Sequence, residues 1–164
     1  MEIERQFLVR PGHLPDLTDI PCSRISQGYI SFSPEIRLRE IDGRQFLLTV
    51  KTGTGLVREE FEPALSESDW RRLSTKIENN RLEKTRYHIP LPGGLTAELD
   101  CFSGHLDGLQ YAEVEFPSEE AAAAFTPPDW FGQEITERAD FSSQLLTELS
   151  GFTDLCRHFP ELFG

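Results

Sequence analysis

The stretch LEKTRYHIPLPGGLTAELDCFSGHLDGLQYAEVEF, residues 82–116, decides the fold. It divides into three apolar-polar alternating runs, Leu82–Ile89, Leu95–Phe102 and Leu109–Phe116, separated by Pro92-Gly93-Gly94 and Asp107-Gly108. Period-2 alternation marks strands, and Gly-rich links this short join antiparallel neighbours rather than crossover units. Each run carries a charged doublet spaced i, i+2: Lys84/Arg86, Glu98/Asp100 and Glu113/Glu115. In a strand such residues share one face, so each doublet presents one sign of charge to one side of the sheet.

The same grammar extends upstream. Glu2–Val9, Arg24–Ile30, Glu35–Ile41, Gln45–Thr52 and Leu56–Glu62 read as five further strands, with turns at Asp42-Gly43 and Gly53-Thr54-Gly55. They hold the doublets Glu2/Glu4, Arg37/Arg39 and Glu60/Glu62; Lys51 and Arg58 fall in place beside them. The residues inside the six doublets are Ile3, Leu38, Phe61, Thr85, Leu99 and Val114, so the other face is the one that packs. Arg5, Glu40, Glu59 and Glu83 interrupt that face and are expected at strand ends or edges.

Helices follow the strands. Ser66–Asp69 has the form of a capping box, with Trp70, Leu73 and Ile77 at helical spacing behind it. Ser118 with Glu119-Glu120 begins a second helix that ends before Pro127-Pro128, and Ser142–Ser150 and Thr153–Phe159 form the tail. No repeat, low-complexity tract or long linker interrupts the 164 residues. The expectation is one α+β domain over 1–164. It is strand-rich over 1–117, with a helix inserted near 66–79, and helical over 118–164.

Composition sets the boundaries. Sixteen Lys plus Arg against 28 Asp plus Glu give a net charge of −12. Such a balance excludes a protein that coats nucleic acid or an anionic membrane, and taken naively it also disfavours small polyanions. The three cysteines, 22, 101 and 156, make neither a disulfide framework nor a zinc spacing and read as reduced thiols. The start shows no signal peptide and no apolar run reaches about 20 residues, so a cytoplasmic location with no membrane partner is expected.

Eight strands are enough to close a barrel. With the charged face outward the result is an ordinary soluble barrel; with it inward, a polar tunnel. The sorting by sign favours the tunnel, because Glu2 beside Glu4 and Glu113 beside Glu115 repel unless cations lie between them. Hard cations such as Mg²⁺ and Mn²⁺ take carboxylate oxygens, and arginines grip phosphate through paired hydrogen bonds. A two-carboxylate glycosidase would leave six bases unexplained. Thr52-Gly53-Thr54-Gly55 lacks the spacing of a phosphate-binding loop, and of the four histidines only His88 is in phase with the charges.

The ordered set Glu2-Ile3-Glu4-Arg5, Gln27-Gly28-Tyr29, Arg37-Leu38-Arg39, Thr49-Val50-Lys51, Arg58–Glu62, Lys84-Thr85-Arg86, Glu98-Leu99-Asp100, Glu113-Val114-Glu115 and Trp130–Thr136 resembles the CYTH family, the triphosphate tunnel metalloenzymes. The resemblance runs from residue 2 to about 149. It implies an eight-stranded antiparallel β-barrel tunnel with flanking helices, mainly C-terminal, which binds a small-molecule triphosphate and a divalent metal, Mg²⁺ or Mn²⁺. By position, Glu2, Glu4, Asp100, Glu113 and Glu115 become metal ligands. Arg37, Arg39, Lys51, Arg58, Lys84 and Arg86 become phosphate-binding residues, with Tyr29, Glu60 and Glu62 catalytic. Hydrolysis of inorganic triphosphate is the implied activity; adenylate cyclisation and non-catalytic polyphosphate or nucleotide binding are the alternatives, and a dimer is compatible. One departure stands out: Gln6 occupies the position of a family lysine thought to help position the attacking water.

Overall fold

The computed structural model describes residues 1–77 and 79–163. Nine strands form: β1 (Glu2–Val9), β2 (Cys22–Phe32), β3 (Glu35–Ile41), β4 (Gln45–Thr52), β5 (Val57–Phe61), β6 (Arg81–Pro90), β7 (Thr96–Ser103), β8 (Gln110–Glu115) and β9 (Phe131–Glu134). The helices are α1 (Glu67–Ser74), α2 (Glu119–Ala124), α3 (Ser143–Glu148), α4 (Phe152–His158) and α5 (Pro160–Phe163). All eight expected strands are present within two residues at either end. Position 78, inside the expected helical stretch 66–79, lies outside the described residues. The four-residue β9 is an addition that the alternation did not reveal.

Every strand pairing is antiparallel, in the order β5-β4-β3-β2-β6-β7-β8-β1-β9. The circle closes where β5 meets β1 through Glu2 opposite Arg58 and Ile3 opposite Val57. That seam is short, and the Glu4 N–H donating to the Leu56 carbonyl at 3.2 Å extends it. Closure removes the free edges that an open sheet would expose. Asp42 and Gly43 carry φ of 53° and 66°, the doubly left-handed corner that lets β3 turn directly into β4.

Because the charged face points inward, the apolar core cannot lie in the lumen. It is split into two clusters. One lies outside the wall, where Phe7, Leu99, Ala112 and Val114 are covered by α2, by β9 and by Trp130. The other stoppers one end, where Leu8, Tyr29, Leu82, Phe102 and Tyr111, with Leu106 from the turn between β7 and β8, meet Phe141, Leu146, Leu155 and Phe159 from the C-terminal segment. A third contact, Phe46 against Trp70 with ring centroids 5.3 Å apart, seats α1 on β4.

Side-chain caps start three of the helices: Ser66 Oγ accepts from Asp69 N, Ser118 Oγ from Ala121 N, and Ser142 Oγ from Leu145 N. Arg5 corrects an expectation. It stands in mid-strand on the outer face, where its guanidinium grips Glu134 of β9 at 2.6 Å and donates to the Ala122 carbonyl at 2.8 Å. It therefore clamps β9 and α2 onto the wall, whereas Glu59 and Glu83 are simply exposed.

The end stopper is under the greatest packing demand. Leu155 is fully buried in α4, so Leu155→Ala is expected to lower stability by about 2–5 kcal/mol, measured by urea denaturation.

Candidate active site

One cavity of about 470 Å³ occupies the lumen. Each of the eight barrel strands supplies its wall or, for β5, the residue just past its end. Glu2, Glu4 and Gln6 come from β1; Gln27 and Tyr29 from β2; Glu35, Arg37 and Arg39 from β3; Lys51 from β4. Arg58, Glu60 and Glu62 follow from β5, Lys84 and Arg86 from β6, Glu98 from β7, and Tyr111, Glu113 and Glu115 from β8. All the expected site residues but Asp100 thus share one space. The segment 135–146 adds Thr136, Glu137, Arg138 and Ser142.

Strand register grades the lumen. Glu4 faces Glu115, Gln6 faces Glu113 and Leu8 faces Tyr111, so carboxylates at one end give way to apolar groups at the stopper. Across β6 and β7, Arg86 faces Asp100 and Lys84 faces Phe102.

The bases are deeply placed. Arg37, Arg39, Lys51 and Lys84 are buried within the wall. Burial pushes Lys84 down to about 8, with Arg86 and Arg39 adding to the effect and Asp100 opposing it. Burial likewise pulls Arg39 down to about 10, with Arg37 and Arg86 beside it. Buried Nε atoms on Arg37 and Arg58, and Oε2 of Glu35, have no hydrogen-bond partner in the protein. Unmet buried donors on cations are costly, and an anionic ligand is the group that would satisfy them.

Asp100 sits behind the cavity lining, engaged by two bases. It is fully buried. Its Oδ2 lies 2.6 Å from Lys84 Nζ, and Arg86 donates to Oδ1 at 2.7 Å and to Oδ2 at 2.9 Å. Burial alone would raise this carboxyl, but the two cations outweigh it and hold it well below the usual range. Both oxygens are committed to aiming two bases.

The remaining acids behave differently. Burial, then the Glu113 charge beside it, pushes Glu4 up to about 9. Burial, then the neighbouring Glu2 carboxyl, raises Glu60 to about 7. Glu2 stays below the ordinary value: burial opposes ionisation, but the Glu60 hydrogen bond and Lys51, 2.8 Å away, overcome it. Glu62 is tied to Thr49, which also accepts from Arg37 Nη2 at 3.2 Å.

These acids fit a hard divalent cation. Among the described residues no three His, Cys, Asp or Glu side chains converge into a ready cage. Mg²⁺ does not require one, because it keeps several waters and completes its shell with one or two carboxylates and substrate phosphate oxygens. A pair of buried carboxyls that holds a proton at neutral pH is a donor set in which a cation can replace that proton.

Glu35, Gln27 and Thr49 line or brace the site and were not singled out from the residues alone. Glu35 stands 3.4 Å from Arg37 and 3.8 Å from Arg58. Its phase with Arg37 and Arg39 was the available signal. His88 does not line the cavity.

A closed barrel whose lumen is lined by both bases and acids defines a charged-tunnel protein. No family model matches the chain. An inorganic triphosphatase from Nitrosomonas europaea is 43% identical over 148 residues, which cover 88% of this chain and 95% of the relative. An inorganic triphosphatase from Acetivibrio thermocellus is 34% identical over 138 residues, covering 82% and 85%. The crystal structure of an inorganic triphosphatase matches with a TM-score of 0.64 at 40% identity, over 90% of this chain and 94% of that one. The chain belongs to the inorganic triphosphatase family.

The shift at Glu4 has a thermodynamic consequence. Glu4 keeps its proton to about 9 in the folded state but loses it near its ordinary value of 4.5 when unfolded. Across that window the folded state binds more protons, so stability falls as pH rises. Melting temperatures of metal-free protein are therefore expected to decline from pH 5 to 9, and Glu4→Gln should flatten part of that slope.

Proposed function

We propose that the chain is a metal-dependent hydrolase of the terminal phosphoanhydride of inorganic triphosphate, working inside the charged tunnel of a triphosphate tunnel metalloenzyme. The observation that carries this is the sorting of charge across one cavity. Arg37, Arg39, Lys51, Arg58, Lys84 and Arg86 line the same cavity as the acid set Glu2, Glu4, Glu113 and Glu115. The relatives' names supply the substrate class and favour hydrolysis over ATP cyclisation and over binding without turnover.

In this reading the bases seat a linear triphosphate. Arg86 and Lys84 are aimed by Asp100, which acts as their counter-ion and takes no part in ligation. Glu2, Glu4, Glu113 and Glu115 would hold Mg²⁺ or Mn²⁺, which when bound would neutralise charge on the phosphoryl oxygens. Glu60, raised to about 7 beside Glu2, is poised to accept a proton from an attacking water near neutral pH. Glu62 holds Thr49 against Arg37. Gln6 offers hydrogen bonds where the family pattern has a charge. Phosphoryl transfer asks little covalent work of the protein beyond this positioning.

A phosphate-release assay of triphosphate, thiamine triphosphate and ATP, each with Mg²⁺ and Mn²⁺, tests the reading. Triphosphate is expected to be the preferred substrate; cyclic AMP from ATP would identify a cyclase, and tight binding without release a binding module. Glu4→Ala combined with Glu115→Ala should remove metal-dependent turnover by on the order of 10²-fold or more. Full turnover in that variant would sink the acid assignment. Gln6→Lys raises the rate if the neutral residue is costly, and leaves it unchanged if Lys51 or Lys84 compensates.

A further inference from the structure

Gln27 and Tyr29 lie two residues apart on the inward face of β2, and both are almost completely buried, at 3% and 1% exposure. The Gln27 amide is held at both ends. Arg39 donates to its Oε1 twice, from Nε at 3.0 Å and from Nη2 at 2.8 Å. A guanidinium has no acceptor, so this contact dictates which end of the amide is oxygen and turns the NH₂ away from Arg39. That NH₂ donates to Tyr29 Oη at 2.7 Å.

The consequence concerns the phenol proton. An amide NH₂ cannot accept, so Tyr29 cannot hand its proton to Gln27. Among the described residues, the bond from Gln27 is the one that Tyr29 Oη makes. Tyr29 also lines the cavity, and Phe32 stacks on its ring at 5.2 Å, which fixes the ring plane.

We propose that Gln27 is a positioning residue that sets the polarity of Tyr29, so that the hydroxyl faces the cavity as a hydrogen-bond donor to a phosphoryl oxygen. The order of donation runs Arg39 to Gln27 to Tyr29 to ligand, beginning at a cation. Each bond in such a chain polarises the next, which makes the phenol a stronger donor where charge develops on oxygen. Tyr29 in this role stabilises the departing charge and does not take a proton from water. The inference rests on the triphosphatase reading for its ligand, while the bond polarity stands on the protein alone.

Gln27→Glu tests the polarity with little change of shape. A carboxylate still accepts from Arg39 but can only accept from Tyr29, so it draws the phenol proton away from the cavity. The expected result with triphosphate and Mg²⁺ is a kcat lower by on the order of 10²-fold, with KM within about threefold. Tyr29→Phe should lose a similar factor, and the double variant no more than either alone. Losses that multiply, or a change confined to KM, would overturn the proposal. A second readout needs no turnover: in the wild-type protein one Gln27 side-chain amide proton should be shifted and slow to exchange, and Tyr29→Phe should move it. If wild-type protein releases no phosphate yet that proton responds, the functional reading falls and the polarity stands. If the proton does not respond, the polarity falls whatever the activity, and whether or not Gln27→Glu folds.

Discussion

The rest of the structure follows from a lumen that is charged. An eight-stranded barrel ordinarily fills its interior with apolar side chains. Here the inward phase of the strands carries arginine, lysine and glutamate, so the hydrophobic effect must act elsewhere. It acts on the outer wall, where Leu99 and Val114 are covered by α2, β9 and Trp130, and at one end, where the C-terminal segment brings Leu146, Leu155 and Phe159 onto Tyr29, Phe102 and Tyr111. The helices are therefore the complement of the polar lumen rather than additions to a self-sufficient barrel. Arg5 belongs to the same logic: a cation on the packing face is admissible because Glu134 and the Ala122 carbonyl receive it.

Inside the wall, charges fall into those that are satisfied and those that are not. Asp100 is fully satisfied by Lys84 and Arg86 and so serves as a fixed counter-ion. Glu4 with Glu113, and Glu2 with Glu60, are like-charged neighbours that relieve their repulsion by keeping a proton. Arg37, Arg58 and Glu35 retain buried polar atoms without partners. The net charge of −12 does not oppose an anion in the lumen: seven bases against nine carboxylates line the cavity, leaving −2 there and the larger share outside. The naive inference from acidity to exclusion of polyanions fails because the surface and the lumen are separated by a protein wall.

Most of the barrel was legible because strand periodicity is a local property. The doublets Arg37/Arg39 and Glu113/Glu115 need only the two-residue repeat to reveal a shared face. Which face turned inward was not local, and the choice between tunnel and plain barrel awaited closure at Glu2 and Arg58. The same limit applied to Asp100, whose doublet with Glu98 looks like any other. Only the register that sets Arg86 opposite it, and brings Lys84 to the Oδ2 that Arg86 also reaches, shows how fully this carboxylate is engaged by bases. Strand β9 escaped notice because four residues beginning Phe131-Gly132 carry too little alternation, and the strand exists by pairing with β1 more than 120 residues away. Gln27 and Glu35 were in phase with the charged face, yet a neutral amide and a carboxylate among arginines gave no signal of sorted charge.

Gln6 shows how a single neutral residue alters that balance. The register sets it opposite Glu113, with Glu4 two residues before it on the same inward face. A lysine at this point would place a fixed cation against both carboxyls and favour their ionised forms. With glutamine, the nearby compensation comes from Arg86, 3.6 Å from Glu113, and from Lys51 acting on Glu4. Burial first, then the Glu113 charge, keeps the proton on Glu4 far above the ordinary range, and Lys51 offsets them only in part. The lack of a lysine at position 6 strengthens the attraction for a divalent cation, since such an ion would meet carboxyls that no lysine there has already neutralised. In the triphosphatase reading proposed above, the departure at position 6 would move charge compensation from the protein to a bound cation, while the bases of the lumen stay as they are.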